Sequence, residues 1–240
     1  MQVQAQAQAH TDAHAHHGFD TADALAMGLR CKSEGLHAEA AGWFRAAAHH
    51  GNPAAQFHLG LMYKSGRGVP LDHGLAERWL CRAAEQDHGR AQSHLGLLYK
   101  TGHGVTQDFE RAARLLRDAV RHDLASAQYH LGDLYERGLG VSRDMAQAAH
   151  WYRLSAEQGS GPAQYRLGLL HLEGRGVVKD AELAAAWLQK AADQGCMPAQ
   201  LQLALLVQNG AGTAADEAQA SDWLQRAVDY GHLEMAPGHP

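Results

Sequence analysis

From Ala55 onward, apolar and polar residues recur with a period of 36 residues and no insertion. Each unit begins with Ala-Gln and carries an aspartate before an alanine-rich segment. Between them, the first three units contain Leu-Gly-x-x-Tyr and Gly-x-Gly-Val, and the last two carry substitutions in this pattern. A fixed period in this range is typical of a solenoid, because each supersecondary unit buries its apolar face only against its neighbours. The pattern predicts five units, at residues 55–90, 91–126, 127–162, 163–198 and 199–234.

The spacing within a unit predicts a first helix that its partner helix approaches closely. In the first unit, Leu59 and Tyr63 lie on one face at helical spacing. Between them, Gly60 costs about 1 kcal/mol inside a helix relative to alanine, so we expect the second helix to pack where no side chain would fit. The Gly-x-Gly-Val segment then ends the first helix, because glycine enters left-handed backbone geometry without strain. The glycine recurs as Gly96, Gly132 and Gly168 and becomes Ala204 in the last unit.

An aspartate in constant register predicts the start of the second helix. Its carboxylate can accept hydrogen bonds from the free backbone N–H groups of the first turn. The aspartates are Asp72, Asp108, Asp144, Asp180 and Asp216. Within the helix that follows, we expect small residues to pack around one large side chain at the seam between the two helices. That side chain is Trp79, Leu115, Trp151, Trp187 or Trp223.

The segments that flank the five units have different compositions. Residues 20–54 are predicted to form a leading hairpin, with helices from Thr21 to about Ser33 and from His37 to about His50. Residues 1–19 are Gln/Ala/His-rich and too poor in apolar bulk to pack, so we expect a disordered tail. Residues 235–240 are predicted to be a C-terminal tail. Residues 20–234 are then expected to form a single repeat domain.

The recurring Leu-Gly-x-x-Tyr and Gly-x-Gly-Val motifs resemble those of the Sel-one-like repeat family, relatives of the tetratricopeptide repeats. The leading hairpin resembles a tetratricopeptide unit at Met27-Gly28, Gly35, Ala40 and Phe44. The resemblance implies an all-α fold, an α/α right-handed superhelical solenoid of about six helix–turn–helix repeats. It also implies a non-catalytic adaptor or scaffold that binds another protein or peptide, in bacteria often in signalling, envelope or secretion processes.

A cysteine-rich branch of the same family offers an alternative function, as a hydrolase or β-lactam-binding protein. That branch carries paired cysteines in each repeat, whereas Cys31, Cys81 and Cys196 fall at unrelated places in the repeat frame. Their odd number favours a reducing compartment. No nucleophile-elbow motif surrounds any serine. We therefore expect a protein without enzymatic activity and without a cofactor.

Charge and hydropathy narrow the range of partners. The net charge is -5 with histidine neutral, and no run of Lys and Arg forms the basic stripe of a nucleic-acid-binding protein. No apolar stretch approaches the ~20 residues that span a bilayer, so membrane insertion is not expected. The amino terminus lacks the basic start and apolar core of a secretory signal. A cytoplasmic location is the expectation, or a periplasmic one if the native form carries a signal not seen here; the oligomeric state is open.

Histidine is unusually frequent, with 18 residues. His58, His94 and His130 occupy one position of successive units, which becomes Arg166 and Gln202. Zinc sites need three or four converging ligands, and no Asp, Glu or Cys recurs beside this column. We therefore favour a partly exposed structural column and expect no metal site. The alternative is a histidine-dependent metal or pH sensor, because unperturbed histidine titrates near pH 6.5.

The predicted partner-binding site consists of first-helix residues that face away from the helical seam. On a helical wheel, Phe57, Leu61 and Lys64 point opposite Leu59 and Tyr63. Apolar residues on a solvent-facing surface are a usual mark of binding, and mixed charges beside them can orient a peptide. The alternative for Phe57 and Leu61 is packing beneath a neighbouring first helix. The site comprises Phe57, Leu61, Lys64, Leu97, Lys100, Tyr129, Asp133, Glu136, Arg137, Tyr165, Leu169 and Glu173.

Overall fold

The computed structural model describes residues 20–208 and Gln225. Within this part of the chain, all regular secondary structure is helical. The predicted tails at residues 1–19 and 235–240 lie outside the described residues, as do Asp216 and Trp223 of the last unit. The described chain forms two compact units: unit 1 ends at His122, and unit 2 begins at Asp123.

Unit 1 consists of three helical hairpins. The helices of the leading hairpin are those that the sequence predicts, with the second helix ending one residue earlier. Within the unit, the second helix of each of the first two hairpins packs against the first helix of the next hairpin. The elements are α1 (Thr21–Ser33), α2 (His37–His49), α3 (Pro53–Ser65), α4 (His73–Glu85), α5 (Gly89–Thr101) and α6 (Phe109–Ala119), followed by a 3₁₀ turn at Val120–His122.

Unit 2 repeats the same arrangement with two complete hairpins and the first helix of another. Its elements are α7 (Ala125–Arg137), α8 (Met145–Glu157), α9 (Gly161–Glu173), α10 (Ala181–Asp193) and α11 (Met197–Gln208). Partner helices within a hairpin make the most extensive contacts, and successive hairpins stack. The predicted all-α solenoid class is confirmed.

The capping aspartates begin the second helices as predicted. Asp72 Oδ1 accepts a hydrogen bond from the backbone N–H of Leu75 at 2.8 Å. Asp144 Oδ1 accepts two, from the N–H groups of Ala146 at 2.9 Å and Gln147 at 3.0 Å. Each bond satisfies a donor that has no partner within the helix. The equivalent caps are Asp108 and Asp180.

The recurring glycine marks a close helix–helix approach. This confirms the prediction that the second helix packs where no side chain would fit. A Cβ atom at Gly60 would lie 2.9 Å from Leu80 Cγ and 3.3 Å from the backbone oxygen of Ala76. No side chain fits at such distances without movement of the partner helix. The same approach joins Gly96 to Leu116, Gly132 to Tyr152 and Gly168 to Leu188.

The large residue at the seam is one position later than predicted. Leu80 and its equivalents Leu116, Tyr152 and Leu188 are all 0 % exposed and face the glycines. The tryptophan column is rotated about 100° away, by one helical step, and its members Trp79 and Trp187 pack against the preceding hairpin. Trp79 joins the cluster that contains Ala48 of α2, and its ring lies 5.2 Å from that of His49.

In unit 1, a buried glutamine joins the second hairpin to the first, a role that the sequence analysis missed. Gln56 Nε2 donates to the backbone oxygen of Ala48 at 3.2 Å, and its Oε1 accepts from Gln86 Nε2 at 2.7 Å. Both ends of the buried amide are thereby satisfied, as burial of a polar group requires. The equivalent pairs in unit 2 are Gln158 with Gln128 at 2.9 Å and Gln194 with Gln164 at 2.8 Å.

Candidate functional site

The first-helix surface of unit 1 is formed by Leu61 and Lys64 on α3 and by Leu97 and Lys100 on α5. All four residues are partly exposed. The two helices present them at the same positions of successive repeats, so each leucine is followed by a lysine almost one turn further along its helix. The surface therefore combines apolar contact area with positive charge.

Phe57 does not belong to this surface. It is 4 % exposed, and its ring centroid lies 5.0 Å from that of His88 and 5.4 Å from that of His94. The expected exposure of Phe57 is wrong, and the alternative of packing between neighbouring hairpins applies. A helical wheel orients a residue only within its own helix, so it does not reveal a neighbouring helix that covers it.

The first-helix surface of unit 2 is formed by Tyr129 and Arg137 on α7 and by Tyr165, Leu169 and Glu173 on α9. Tyr129 packs one side against the core cluster of α8 and α9, and Tyr165 packs against the cluster of α10 and α11. Both tyrosines remain partly exposed, as does Leu169. Arg137 and Glu173 are exposed. These residues combine anchored aromatic rings with accessible charges.

Asp133 and Glu136 were expected at the charged rim, but both are largely covered. Asp133 is 7 % exposed and lies 3.7 Å from Arg137. Glu136 Oε2 accepts a hydrogen bond from the Tyr152 hydroxyl at 2.8 Å, and its Oε1 lies 3.5 Å from Arg175 Nη2. The expectation that these two carboxylates face solvent is wrong, because residues of α8 and of the loop after α9 cover them.

We name Glu136, Tyr152, Arg166 and Arg175 the polar cluster of unit 2. Burial and the Glu136 carboxylate raise the pKa of Tyr152, which keeps its hydroxyl protonated as a donor. Arg166 interacts with Glu136 and with Tyr129. The sequence signal for the cluster was a pair of departures from the repeat: tyrosine at the leucine position of the seam, and arginine in the histidine column.

The histidine column is partly exposed, as expected, but burial of one side of the ring lowers the pKa of two of its members. Burial, together with the positive charges of Lys32, His88 and Arg90, lowers the pKa of His58 to about 4. Burial likewise lowers the pKa of His94. His58 therefore stays neutral in the range where a histidine sensor would respond. Among the described residues, no three His, Cys, Asp or Glu side chains are placed to hold a metal ion together.

The cysteines offer no activated nucleophile. Cys31, Cys81 and Cys196 are all free thiols, of which Cys31 is buried. Burial raises the pKa of Cys31 and of Cys81, so the reactive thiolate is a minor species at neutral pH.

Among the helices in the described segments, none combines the length and the hydrophobicity needed to cross a bilayer.

The stacked hairpins and their accessible first-helix side chains define a helical-repeat scaffold. The chain belongs to the Sel1 repeat family, whose model matches residues 24–52, 53–88, 89–123, 125–160, 161–196 and 198–232. Sel1 repeat proteins generally act in protein–protein interaction, typically as non-catalytic scaffolds. The predicted resemblance is thereby confirmed, and the sixth match includes the last, degenerate unit. A comparison with curated proteins gives no match.

Solved structures give the same result. The chain is 31% identical to a protective antigen of uropathogenic Escherichia coli with an SLR fold, with a TM-score of 0.84 over 94% of this chain and 48% of that chain. It is 30% identical to a Sel1 repeat protein from Oxalobacter formigenes, with a TM-score of 0.81 over 88% of this chain and 84% of that one. An immunity protein from Pseudomonas aeruginosa is similar in fold alone, at 18% identity and a TM-score of 0.50, over 84% of this chain and 80% of that one.

Proposed function

We propose that this protein is a non-catalytic adaptor that holds a segment of a partner protein on its first-helix surfaces. The observation that carries the proposal is the state of Tyr129 and Tyr165, which pack against the core on one side and are accessible on the other, with the partly exposed Leu169 one turn beyond Tyr165. Large aromatic side chains held in this way contribute most of the binding energy in many interfaces. Little conformational entropy is lost when a partner docks against them.

Charges that are already fixed support the same proposal. Arg175 lies 2.8 Å from Glu173 and 3.5 Å from Glu136, which sets the position of the accessible Glu173 carboxylate before any partner arrives. Arg137 adds a positive charge at the other end of the unit 2 surface. Charges at the edge of an interface select and orient a partner more than they add affinity. A peptide with apolar anchors and charges of both signs fits this surface.

The biological setting that we propose is a bacterial signalling, envelope or secretion process. The support for this setting is that the similar Sel1 repeat structures come from bacteria, including the Escherichia coli protective antigen. That antigen is about twice as long as the present chain. Its role as an antigen describes that protein, and only the general setting is transferred to this one.

Site-directed photo-crosslinking in the producing cells tests the proposed surface. A benzophenone amino acid replaces Leu169 in one variant and Leu183 in a matched control, because Leu183 is an exposed leucine of the same unit on a second helix. We expect a discrete crosslinked protein from position 169 and none from position 183. Adding Arg137→Glu to the first variant is expected to reduce its yield at least severalfold. The same crosslinked protein at equal yield from both positions would contradict the proposal.

A further inference from the structure

Unit 1 contains a cavity on the side of its second helices, away from the first-helix surface. It lies between α4, α5 and α6 and has a volume of about 340 Å³. Cys81 of α4, Gln92 and Leu95 of α5, and Arg114 and Leu115 of α6 are among the residues that line it. Leucine side chains form its apolar walls, and charged side chains lie among the lining residues.

The cavity exists because Leu115 occupies the tryptophan column. In the hairpin before, Trp79 packs in the cluster that contains Ala48 and Leu59. These two residues correspond, one repeat earlier, to Ala84 and Leu95 of the cavity wall. In unit 2, Trp187 packs in the same way against the cluster with Ala156 and Leu167. An indole ring therefore occupies this space in both of those hairpins, and the shorter Leu115 leaves it open.

A polar wall of the cavity also departs from the repeat. Gln92 is 5 % exposed, and its Oε1 has no hydrogen-bond partner among the described residues. In three other hairpins, a glutamine after the second helix donates to this oxygen, but here that position is His122, which contacts Asp87 instead at 3.2 Å. A buried acceptor without a donor destabilises the structure that contains it. A ligand that brings an N–H group removes that destabilisation.

The charges around the cavity balance. Glu85 and Asp118 contribute two carboxylates, and Arg111 and Arg114 contribute two guanidinium groups. Arg111 is already engaged, since its Nη1 donates to the Tyr99 hydroxyl at 2.9 Å. A strongly charged ligand gains no net attraction from such a set, whereas a neutral ring gains dispersion contacts with the leucines and a cation–π contact with Arg114.

We propose that this cavity binds a tryptophan side chain of a partner polypeptide, which takes the place that Trp79 and Trp187 fill within the chain itself. Its indole N–H donates to an acceptor of the cavity wall, Gln92 Oε1, and its ring packs against Leu95 and Leu115. A polypeptide is the source, because the charged groups among the lining residues can pair with its backbone and its flanking residues. This site is separate from the first-helix surface and does not depend on it.

Protection of Cys81 from alkylation tests the proposal on the intact protein. Cys81 lines the cavity, whereas Cys196 is a partly exposed thiol of unit 2 and serves as an internal reference. The probe is N-acetyl-tryptophanamide, and the control is N-acetyl-leucinamide. We expect the tryptophan probe to slow iodoacetamide labelling of Cys81, measured by mass spectrometry, without slowing that of Cys196. Equal protection by both probes, or protection of neither or of both cysteines, would overturn the proposal.

Two further measurements separate the elements of the proposal. Leu115→Trp fills the cavity from within, so we expect Cys81 to be slow to react and insensitive to the probe in this variant. The probe methylated at the indole nitrogen lacks the donor and is expected to protect about fivefold less well. If free indole protects Cys81 but the blocked tryptophan does not, a polypeptide source is wrong. If Leu115→Trp does not fold, the wild-type comparison of the probes decides alone.

Discussion

Unit 1 and unit 2 form the same hairpin seam but place different chemistry at one position. Beyond the leading hairpin, where Phe44 meets Gly28, the residue that meets the seam glycine is Leu80 or Leu116 in unit 1 and Tyr152 in the first hairpin of unit 2. A Cβ on the glycine would lie 2.9, 3.0 or 2.8 Å from these side chains, so the helices approach equally closely. The seam therefore specifies shape. It tolerates a polar atom where a partner for that atom lies within reach, as Glu136 does for Tyr152.

A second position differs between the units in the same direction. The column that holds His58 and His94 in unit 1 holds His130 and then Arg166 in unit 2, where the arginine interacts with Glu136. Two departures from the repeat thus convert an apolar edge into the polar cluster of unit 2. The comparison teaches that the repeat frame determines the backbone, while the departures from it determine local chemistry.

Removal of the Tyr152 side chain is expected to have the largest effect. Tyr152→Ala leaves a cavity at the seam and takes one hydrogen-bond donor from Glu136, so we expect the free energy of unfolding to fall by about 3–5 kcal/mol. Urea denaturation followed by circular dichroism measures the change. Leu183→Ala is the matched control at an exposed site of the same unit and is expected to cost less than about 1 kcal/mol. Similar losses in both variants would contradict the importance of the seam.

Two helical glycines of unit 1 are expected to respond to alanine in opposite directions. At Gly60, the new Cβ meets Leu80 and the Ala76 backbone oxygen, so Gly60→Ala should destabilise the protein by about 1–3 kcal/mol. At Gly42 of α2, no atom lies within 4 Å of the new Cβ. Gly42→Ala should therefore stabilise by about 0.5–1 kcal/mol, since alanine favours the helix. Thermal and urea unfolding measure both, and a stabilising Gly60→Ala would show that the seam is not closely packed.

The features predicted from the sequence are those that each repeat unit imposes on itself. The aspartate caps and the seam glycines could be predicted because each acts on a neighbour fixed by the same 36-residue frame. The burial of Phe57 could not, since it depends on residues of another hairpin. The cavity at Leu115 was missed for the same reason. It is recognised only by comparison with the space that Trp79 fills in another hairpin, and helical spacing alone assigned the tryptophan column to the wrong side of the helix.

A smaller change isolates the polar contribution to the unit 2 seam. Tyr152→Phe keeps the ring and removes the bond to Glu136, so we expect a loss of about 1.5 kcal/mol, because the acceptor is a carboxylate. A double-mutant cycle with Glu136→Gln measures the coupling. Leu116→Met is the apolar control in unit 1 and is expected to cost less than about 1.5 kcal/mol. A coupling energy near zero in the cycle would mean that the tyrosine is retained for its shape alone.

The smallest expected effect concerns the pH dependence of stability. It tests the histidine column in unit 1, whose position Arg166 occupies in unit 2. The pKa of His58 is about 4 in the folded protein, below the ordinary value of 6.5, because burial disfavours its charged form. Above pH 6.5 His58 is neutral in both the folded and the unfolded protein, so it causes no loss of stability. As the pH falls from 6.5 to 4, the unfolded chain takes up a proton that the folded chain refuses, so stability is lost. Because the ring is only partly buried, we expect His58→Gln to recover about 1 kcal/mol of the acid-induced loss. Urea denaturation at pH 7, 5.5 and 4 measures it, with the exposed His150→Gln as control. Parallel curves for wild type and His58→Gln would show that the folded environment of His58 does not disfavour its protonation.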